Sequence, residues 1–480
     1  MNTMKRSAIS TVMFLGGLFV LLFSSCKNVP STAQSRDVAQ SRDAAASYKM
    51  FCAGCHGDNL EKFAAKQWME ASGTASIEQS IKLGIASAGM PAFEKTFSNQ
   101  ELKELALYVK GGIPTDRTQL KPALTADGIL RSELYNFVID TVVSGIEVPW
   151  GMAFLPDGDL LFSERKGTLH RFSNGTISPP IEGLPPIMAG GQGGLLDVAL
   201  HPEYEKNGWI YMSYSALDTL SASRIGSTAV TRARLDGSLL KDVEVLFIGT
   251  PATDRGHHWG CKLAFDGKGF LYFGVGDRGQ HFDFPQKLDN TNGKIHRIHD
   301  DGRIPNDNPF VSSEGAIKSI FSFGHRNPQG ITIHPVTGDI WETEHGPMGG
   351  DEINLIAPGK NYGWPVISYG INYDGTVLAT DSVKVGMEQP VMQWTPSMAP
   401  CGMTFVTGNR FSKWEHNLLV GSLRFDYIER VVLDGHKVIH REKLAEGIGR
   451  VRNVVIGRDG LVYVGLEEPG MIVRLVPVQP

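Results

Sequence analysis

The chain has 480 residues, 46 Lys+Arg against 51 Asp+Glu, and a formal net charge of -5, which excludes a generally basic nucleic-acid binder. Hydrophobic residues make up 41% and charged residues 20%, enough for a sizeable core and too apolar for a disordered chain. With 55 glycines and 26 prolines the composition favours a turn-rich, all-β architecture, and five cysteines are too few for a disulfide scaffold.

The first 26 residues read as an export signal. Lys5 and Arg6 precede an apolar run from Val12 to Phe23 that is short for a bilayer span. Ser24-Ser25-Cys26 then resembles the lipobox of bacterial lipoproteins, with Cys26 as the acylated residue and Phe23 a departure from the usual aliphatic; an ordinary cleaved signal with a chance cysteine is the alternative. Residues 27–43 contain Ala-Gln-Ser-Arg-Asp twice and read as a flexible tether. The expectation is a protein exported to the cell envelope, touching membrane only through an N-terminal lipid.

Residues 44–113 predict a small all-α cytochrome c domain. Cys52-Ala53-Gly54-Cys55-His56 is a CxxCH run: two thiols on one helical turn reach the two vinyl groups of a haem, and the adjacent His56 ligates the iron. Half a zinc site or a redox dithiol is the competing reading. Met90, in Gly89-Met90-Pro91, is the candidate sixth ligand, since thioether ligation suits electron transfer, with a core methionine as the bland alternative. Leu102, Leu105, Ala106 and Val109 recur with helical period after Ser98, a reasonable N-cap.

A linker, 114–136, leads into residues 137–480, where a hairpin pattern recurs six times, starting at Gly151, Asp197, Lys262, Gly330, Gly402 and Asn453, roughly 45 to 70 residues apart. This spacing predicts a six-bladed β-propeller, with Phe137–Val143 a spare strand that completes the last blade. His201-Pro202 and His334-Pro335 occupy the same turn in two repeats and read as turn residues. Just upstream of the repeats stand Gln192, then His257 and His258, then Arg326, Asn327 and Gln329, then Ser397, then Arg450 and Arg452. Polar residues at one phase of a propeller converge at one end of its channel, and a group of arginines there suits a ligand bearing carboxylates or phosphates. Ordinary loop residues are the alternative.

These residues also carry a resemblance. The strings Gly191-Gln192-Gly193-Gly194-Leu195-Leu196, His258-Trp259-Gly260-Cys261-Lys262-Leu263, Gly324-His325-Arg326-Asn327-Pro328-Gln329-Gly330, Glu344-His345-Gly346-Pro347, Asp351-Glu352-Ile353-Asn354, Asn361-Tyr362-Gly363-Trp364-Pro365, Gly421-Ser422-Leu423-Arg424 and Arg450-Val451-Arg452 resemble the soluble quinoprotein glucose and aldose sugar dehydrogenases, six-bladed enzymes using pyrroloquinoline quinone (PQQ). The resemblance implies PQQ held by Gln192, Arg326, Asn327, His345, Ser397, Arg424, Arg450 and Arg452, with His258 the base that takes the sugar C1 hydroxyl proton. It implies calcium on the carbonyls of Gly346 and Pro347, and a further structural calcium region with Glu352 and Tyr362. It departs from the glucose-oxidising members at His257, Arg424 and His345, which stand where an acidic residue, Lys and Gln are usual. Cys261 and Cys401 form a disulfide or remain two buried thiols.

The expected activity is oxidation of aldoses to lactones, with electrons passing from PQQ to the chain's own c-type haem and on to an external acceptor. A calcium-dependent propeller lactonase or esterase, and a glycan- or protein-binding propeller, are the alternatives.

Overall fold

The computed structural model describes residues 43–56, 60, 74–85, 90–112, 127–279, 281–373 and 376–478, except the side chain of Cys55. The signal-like segment with Cys26, nearly all of the tether and most of the 114–136 linker lie outside them.

The small N-terminal domain contains helices Ala44–Phe51, Ala53–His56, Thr74–Leu83 and Asn99–Gly112. The last begins where Ser98 and Glu101 cap one another: Ser98 N donates to Glu101 Oε2 at 2.8 Å and Glu101 N to Ser98 Oγ at 3.3 Å. Its Leu102, Leu105, Ala106 and Val109 stripe is buried against Tyr48, Phe51, Phe93 and Phe97.

The remainder folds into six antiparallel sheets, each a blade. Their inner strands are Pro149–Phe154, Leu195–Leu200, Leu263–Phe265, Pro328–Ile333, Pro400–Phe405 and Val451–Ile456. Each packs on the next, and the sixth returns to the first, closing the ring. Strand Asn136–Ser144 pairs with the C-terminal strand Met471–Val478, so the last blade is built from both ends of the propeller. Strand Ile129–Arg131 adds a fifth member to that sheet, within the segment expected to be linker, because its backbone pairs with the outer edge of 136–138.

The ring centre is tight and polar. A Cβ on Gly402 would lie 2.3 Å from Asn453 Oδ1, so a side chain there would collide with the next blade. Lys262 Nζ lies 2.7 Å from Asp197 and 3.1 Å from Asn453, joining three blades through a buried ion pair. His201 and His334 are turn residues as expected: His334 Nδ1 accepts from the backbone N–H of Val336 and Thr337.

Cys261 and Cys401 are separate thiols. They belong to different core clusters, and Cys401 Sγ donates to Val451 O at 2.7 Å, so no disulfide joins them.

Candidate active site at the propeller mouth

The segments entering the inner strands do converge. Gln192, His258, Arg326, His345, Ser397, Arg450 and Arg452 line one cavity of about 880 Å³.

His258 sits just before its inner strand at φ +57, a left-handed conformation that costs a non-glycine residue free energy and marks the position as specified by its surroundings. Those surroundings are visible. Its N–H donates to Gln192 Oε1 at 2.7 Å, and its carbonyl accepts from Arg278, whose guanidinium stacks 3.9 Å over Trp259.

His258 Nδ1 lies 2.5 Å from Asp277 Oδ1. Asp277 is held in turn by Trp364 Nε1 at 2.7 Å and Gly279 N at 2.8 Å. Burial alone would raise the Asp277 carboxyl, but His258, Arg326 and the Gly279 N–H hold it below the usual range. An ionised Asp277 requires the proton on Nδ1, which leaves the Nε2 lone pair of His258 as the acceptor. Burial and then the Arg326 charge push the His258 imidazole below its ordinary 6.5, although Asp277 opposes them. His257 is pushed down to about 3, chiefly by burial and by His258, and its Nδ1 is buried without a partner among the described residues.

The arginines are organised around a carboxylate. Glu467 lies 2.5 Å from Arg452 Nη2, 3.4 Å from Arg450 Nε and 3.6 Å from Arg165. Arg452 also donates to Gln329 at 2.9 Å, and Arg450 to Leu423 O at 2.5 Å. Arg326 donates to the carbonyls of His345 (3.0 Å) and Gly346 (2.6 Å), while its Nε is buried with no partner among the described residues. His345 donates from Nε2 to Pro400 O at 2.6 Å and stays neutral, its pKa pushed to about 3 by burial and then Arg452.

Three expected cofactor ligands are placed differently. Asn327 does not line the cavity: its Oδ1 accepts from Gly260 N (3.2 Å) and Gln329 Nε2 (2.9 Å), bracing the wall behind. Arg424 also lies outside it, donating to Ser397 O (3.1 Å) and to Lys49 O (2.8 Å) of the first helix. Ser397 lines the cavity, but its hydroxyl donates to Asp351 Oδ2 at 2.6 Å.

Asp277, Arg165 and Glu467 were missed from sequence. Each follows the second strand of its blade, as do His345 and Arg424. In an antiparallel hairpin the exit of the second strand lies beside the entry of the first, and that phase was the available signal.

For calcium, Gly346 and Pro347 both line the cavity, and Gly346 N donates to Asp351 Oδ1 at 2.9 Å. A Cβ on Gly346 would fall 2.4 Å from Gly349 O and 2.3 Å from Gly350 O, so only glycine fits this turn. The Tyr362 hydroxyl does not fit as a ligand, because it donates to Leu355 O (2.5 Å) and accepts from Ala357 N (2.9 Å). Glu352 faces other carboxylates across Asn354.

Cys52, His56 and Met90 line the same cavity, with Phe51, Ile81 and Phe93 as apolar wall, a setting suited to a porphyrin. Met90 is fixed by a two-way backbone pairing with Ile85 (2.9 and 3.0 Å). Met348 and Tyr373, from blade 4, pack against the helical core.

Residues 146–474 match the glucose/sorbosone dehydrogenase family model. The chain belongs to the glucose/sorbosone dehydrogenase family. Residues 39–109 of this family member match the model described as cytochrome C oxidase, cbb3-type, subunit III. It is 38% identical over 347 residues to the aldose sugar dehydrogenase YliI of Escherichia coli, covering 71% of this chain and 92% of that protein. The apo-form crystal structure of the Escherichia coli soluble aldose sugar dehydrogenase is similar at TM-score 0.68 and 37% identity, over 71% of this chain and all of that one. The PQQ-bound aldose sugar dehydrogenase of Streptomyces coelicolor is similar at TM-score 0.59 and 28% identity, over 71% of this chain and 98% of that one.

Proposed function

We propose that this protein is a PQQ-dependent aldose dehydrogenase that delivers its electrons to its own c-type haem. One observation carries the reading: His258, backed by Asp277, and the arginines Arg326, Arg450 and Arg452 share a cavity with Cys52, His56 and Met90. The name of the PQQ-bound relative supports the cofactor, and the cytochrome match supports the haem.

His258 acts as the base. Its Nε2 takes the C1 hydroxyl proton, and the charge that develops on the ring faces the Asp277 carboxylate. Burial, and then Arg326, oppose that charge and favour the neutral resting imidazole. PQQ, when bound, supplies an ortho-quinone that accepts two electrons, and calcium supplies a Lewis acid. Arg326, with its unpartnered Nε, and Arg450 would hold PQQ carboxylates, while Arg452, fully engaged by Glu467 and Gln329, orients the group. The Pro347 carbonyl, and the Gly346 carbonyl in place of its bond from Arg326, would hold calcium.

Cys52 and Cys55 would carry the haem covalently, with His56 and Met90 as axial ligands. An external cytochrome or respiratory component then takes the electrons. The export signal and Cys26 acylation complete the proposal, placing the enzyme on the cell envelope. Adding PQQ and Ca²⁺ to the apo-protein and following dye reduction by aldoses tests the chemistry; no reduction with any aldose contradicts it.

A further inference from the structure

Lys294 is a buried cation that the sugar chemistry leaves unused. It opens strand Lys294–His299 of the third blade and is 0% exposed. Its ammonium meets backbone carbonyls instead of a carboxylate: Nζ donates to Phe284 O at 2.7 Å, Asn292 O at 2.7 Å and Pro285 O at 3.2 Å. A buried charge is costly unless it is paired and hydrogen-bonded. An ammonium has three N–H groups, so three acceptors use all of them. The neutral amine has two, and would turn its lone pair on the third carbonyl.

The lysine stands where three parts of the mouth meet. The three carbonyls belong to the segment that follows Phe282, which lines the cavity with its ring 6.3 Å from that of Trp364. The Lys294 backbone pairs on one side with Val275, two residues before Asp277, and on the other with Phe323, three before Arg326. Gly293 joins the same two strands, its N–H donating to Val275 O at 2.8 Å and its carbonyl accepting from His325 N at 3.1 Å. Asp277 N in turn donates to Arg326 O at 2.8 Å.

We propose that Lys294 is a positioning residue for the sugar oxidation: its three bonds tie the Phe282 segment to the strand ends that carry Asp277 and Arg326, and all three hold only while the amine is protonated. This role presupposes His258 as the base, backed by Asp277. The groups around the ammonium are Asp289 and Asp277, which favour its charge, and His296 of the same strand, pushed to about 3 chiefly by burial. His325 follows the paired strand Ile320–Phe323. Burial outweighs the two aspartates and lowers the Lys294 pKa from 10.5 to about 7. The consequences for activity and stability have opposite signs. Sugar oxidation should fall as pH rises through the folded pKa, because the third bond is lost. Stability should rise between about 7 and 10.5, because the unfolded chain there keeps a proton that the folded chain has released. A lysine that only braced the fold would leave activity flat or let it follow Tm.

The test compares the PQQ- and Ca²⁺-loaded full chain with Lys294→Gln, by dye-linked kcat and KM and by Tm across this window. Wild-type kcat should show an alkaline limb below pH 10.5, while its Tm relative to Lys294→Gln rises. Lys294→Gln, with two donors and no charge, should lack the limb and run roughly 10- to 100-fold lower in kcat on the acid side, with KM changing less. Amide exchange in residues 276–279 and 323–327, read by mass spectrometry, should be faster in Lys294→Gln than in wild type at the same pH. Constant wild-type kcat across the window, or an equal limb in Lys294→Gln, overturns the role, and the wild-type profile decides by itself if the variant does not fold. Wild type that oxidises no aldose at any pH counts against the dehydrogenase reading instead. Amide exchange then judges Lys294 alone, and equal exchange in the two proteins overturns its positioning role.

Discussion

His258 Nδ1 and Asp277 Oδ1 lie 2.5 Å apart, and Trp364 and Gly279 fix the carboxylate from its other sides. In the proposed mechanism this pair sets the tautomer that lets His258 act as the base. Asp277→Asn should leave PQQ uptake intact and lower kcat by about 100- to 10,000-fold, the range expected when a general base is lost. His257→Ala should cost far less. Steady-state kinetics of the two variants check the ranking, and the reverse order would move the base to His257.

The pH dependence has a defined sign. In the proposed mechanism the neutral imidazole is the active form, and burial with Arg326 places the His258 pKa below 6.5. Activity should therefore persist as pH falls through 6.5 and drop only below it. A kcat/KM profile with its acid limb at or above pH 6.5 would contradict the described electrostatics.

Arg450→Ala should weaken PQQ binding roughly 10- to 100-fold, as expected for one charge-assisted hydrogen bond of about 1.5–3 kcal/mol. Arg452→Ala should lower Tm as well, because it strips the Glu467 carboxylate, 5% exposed, of its closest partner. Cofactor titration and thermal melts of both variants separate binding from support.

Gly191 has φ +58, and a Cβ there would lie 2.3 Å from Gly256 O. Gly191→Ala should cost about 1–2 kcal/mol in backbone strain before any clash. It should also reduce kcat, since Gln192 N donates to Gly256 O and its side chain holds His258.

The blades were legible because each inner hairpin repeats a strand–turn–strand pattern around a glycine, with aspartate beside it in four of the six turns. The Asn99–Gly112 helix was legible from its capping box and stripe. Residues entering inner strands were legible as a phase, but that phase cannot say whether a side chain points into the cavity or behind it. Asn327 differs from its neighbour Arg326 by direction alone, and Arg424 leaves the second strand of its blade instead of entering the inner one. Strand Ile129–Arg131 was hidden because three residues carry too little periodicity. The Cys261 and Cys401 pairing depends on distance between blades, which no local pattern encodes.

Arg424 joins Ser397 O to Lys49 O, linking the propeller mouth to the helix that precedes the haem motif. Arg424→Ala should leave dye-linked sugar oxidation within about twofold, since one exposed hydrogen bond contributes about 1 kcal/mol or less. It should slow haem reduction. Comparing the two rates in one preparation checks this.

The central claim is that the two domains form one electron path. Its most direct measurement is anaerobic mixing of the PQQ- and Ca²⁺-loaded full chain with an aldose, followed at the haem absorbance bands. The account predicts reduction to the ferrous state without mediator, at a rate independent of protein concentration, and its loss in Met90→Ala while dye-linked oxidation continues. Haem that stays ferric while the same preparation oxidises sugar with a dye would contradict it.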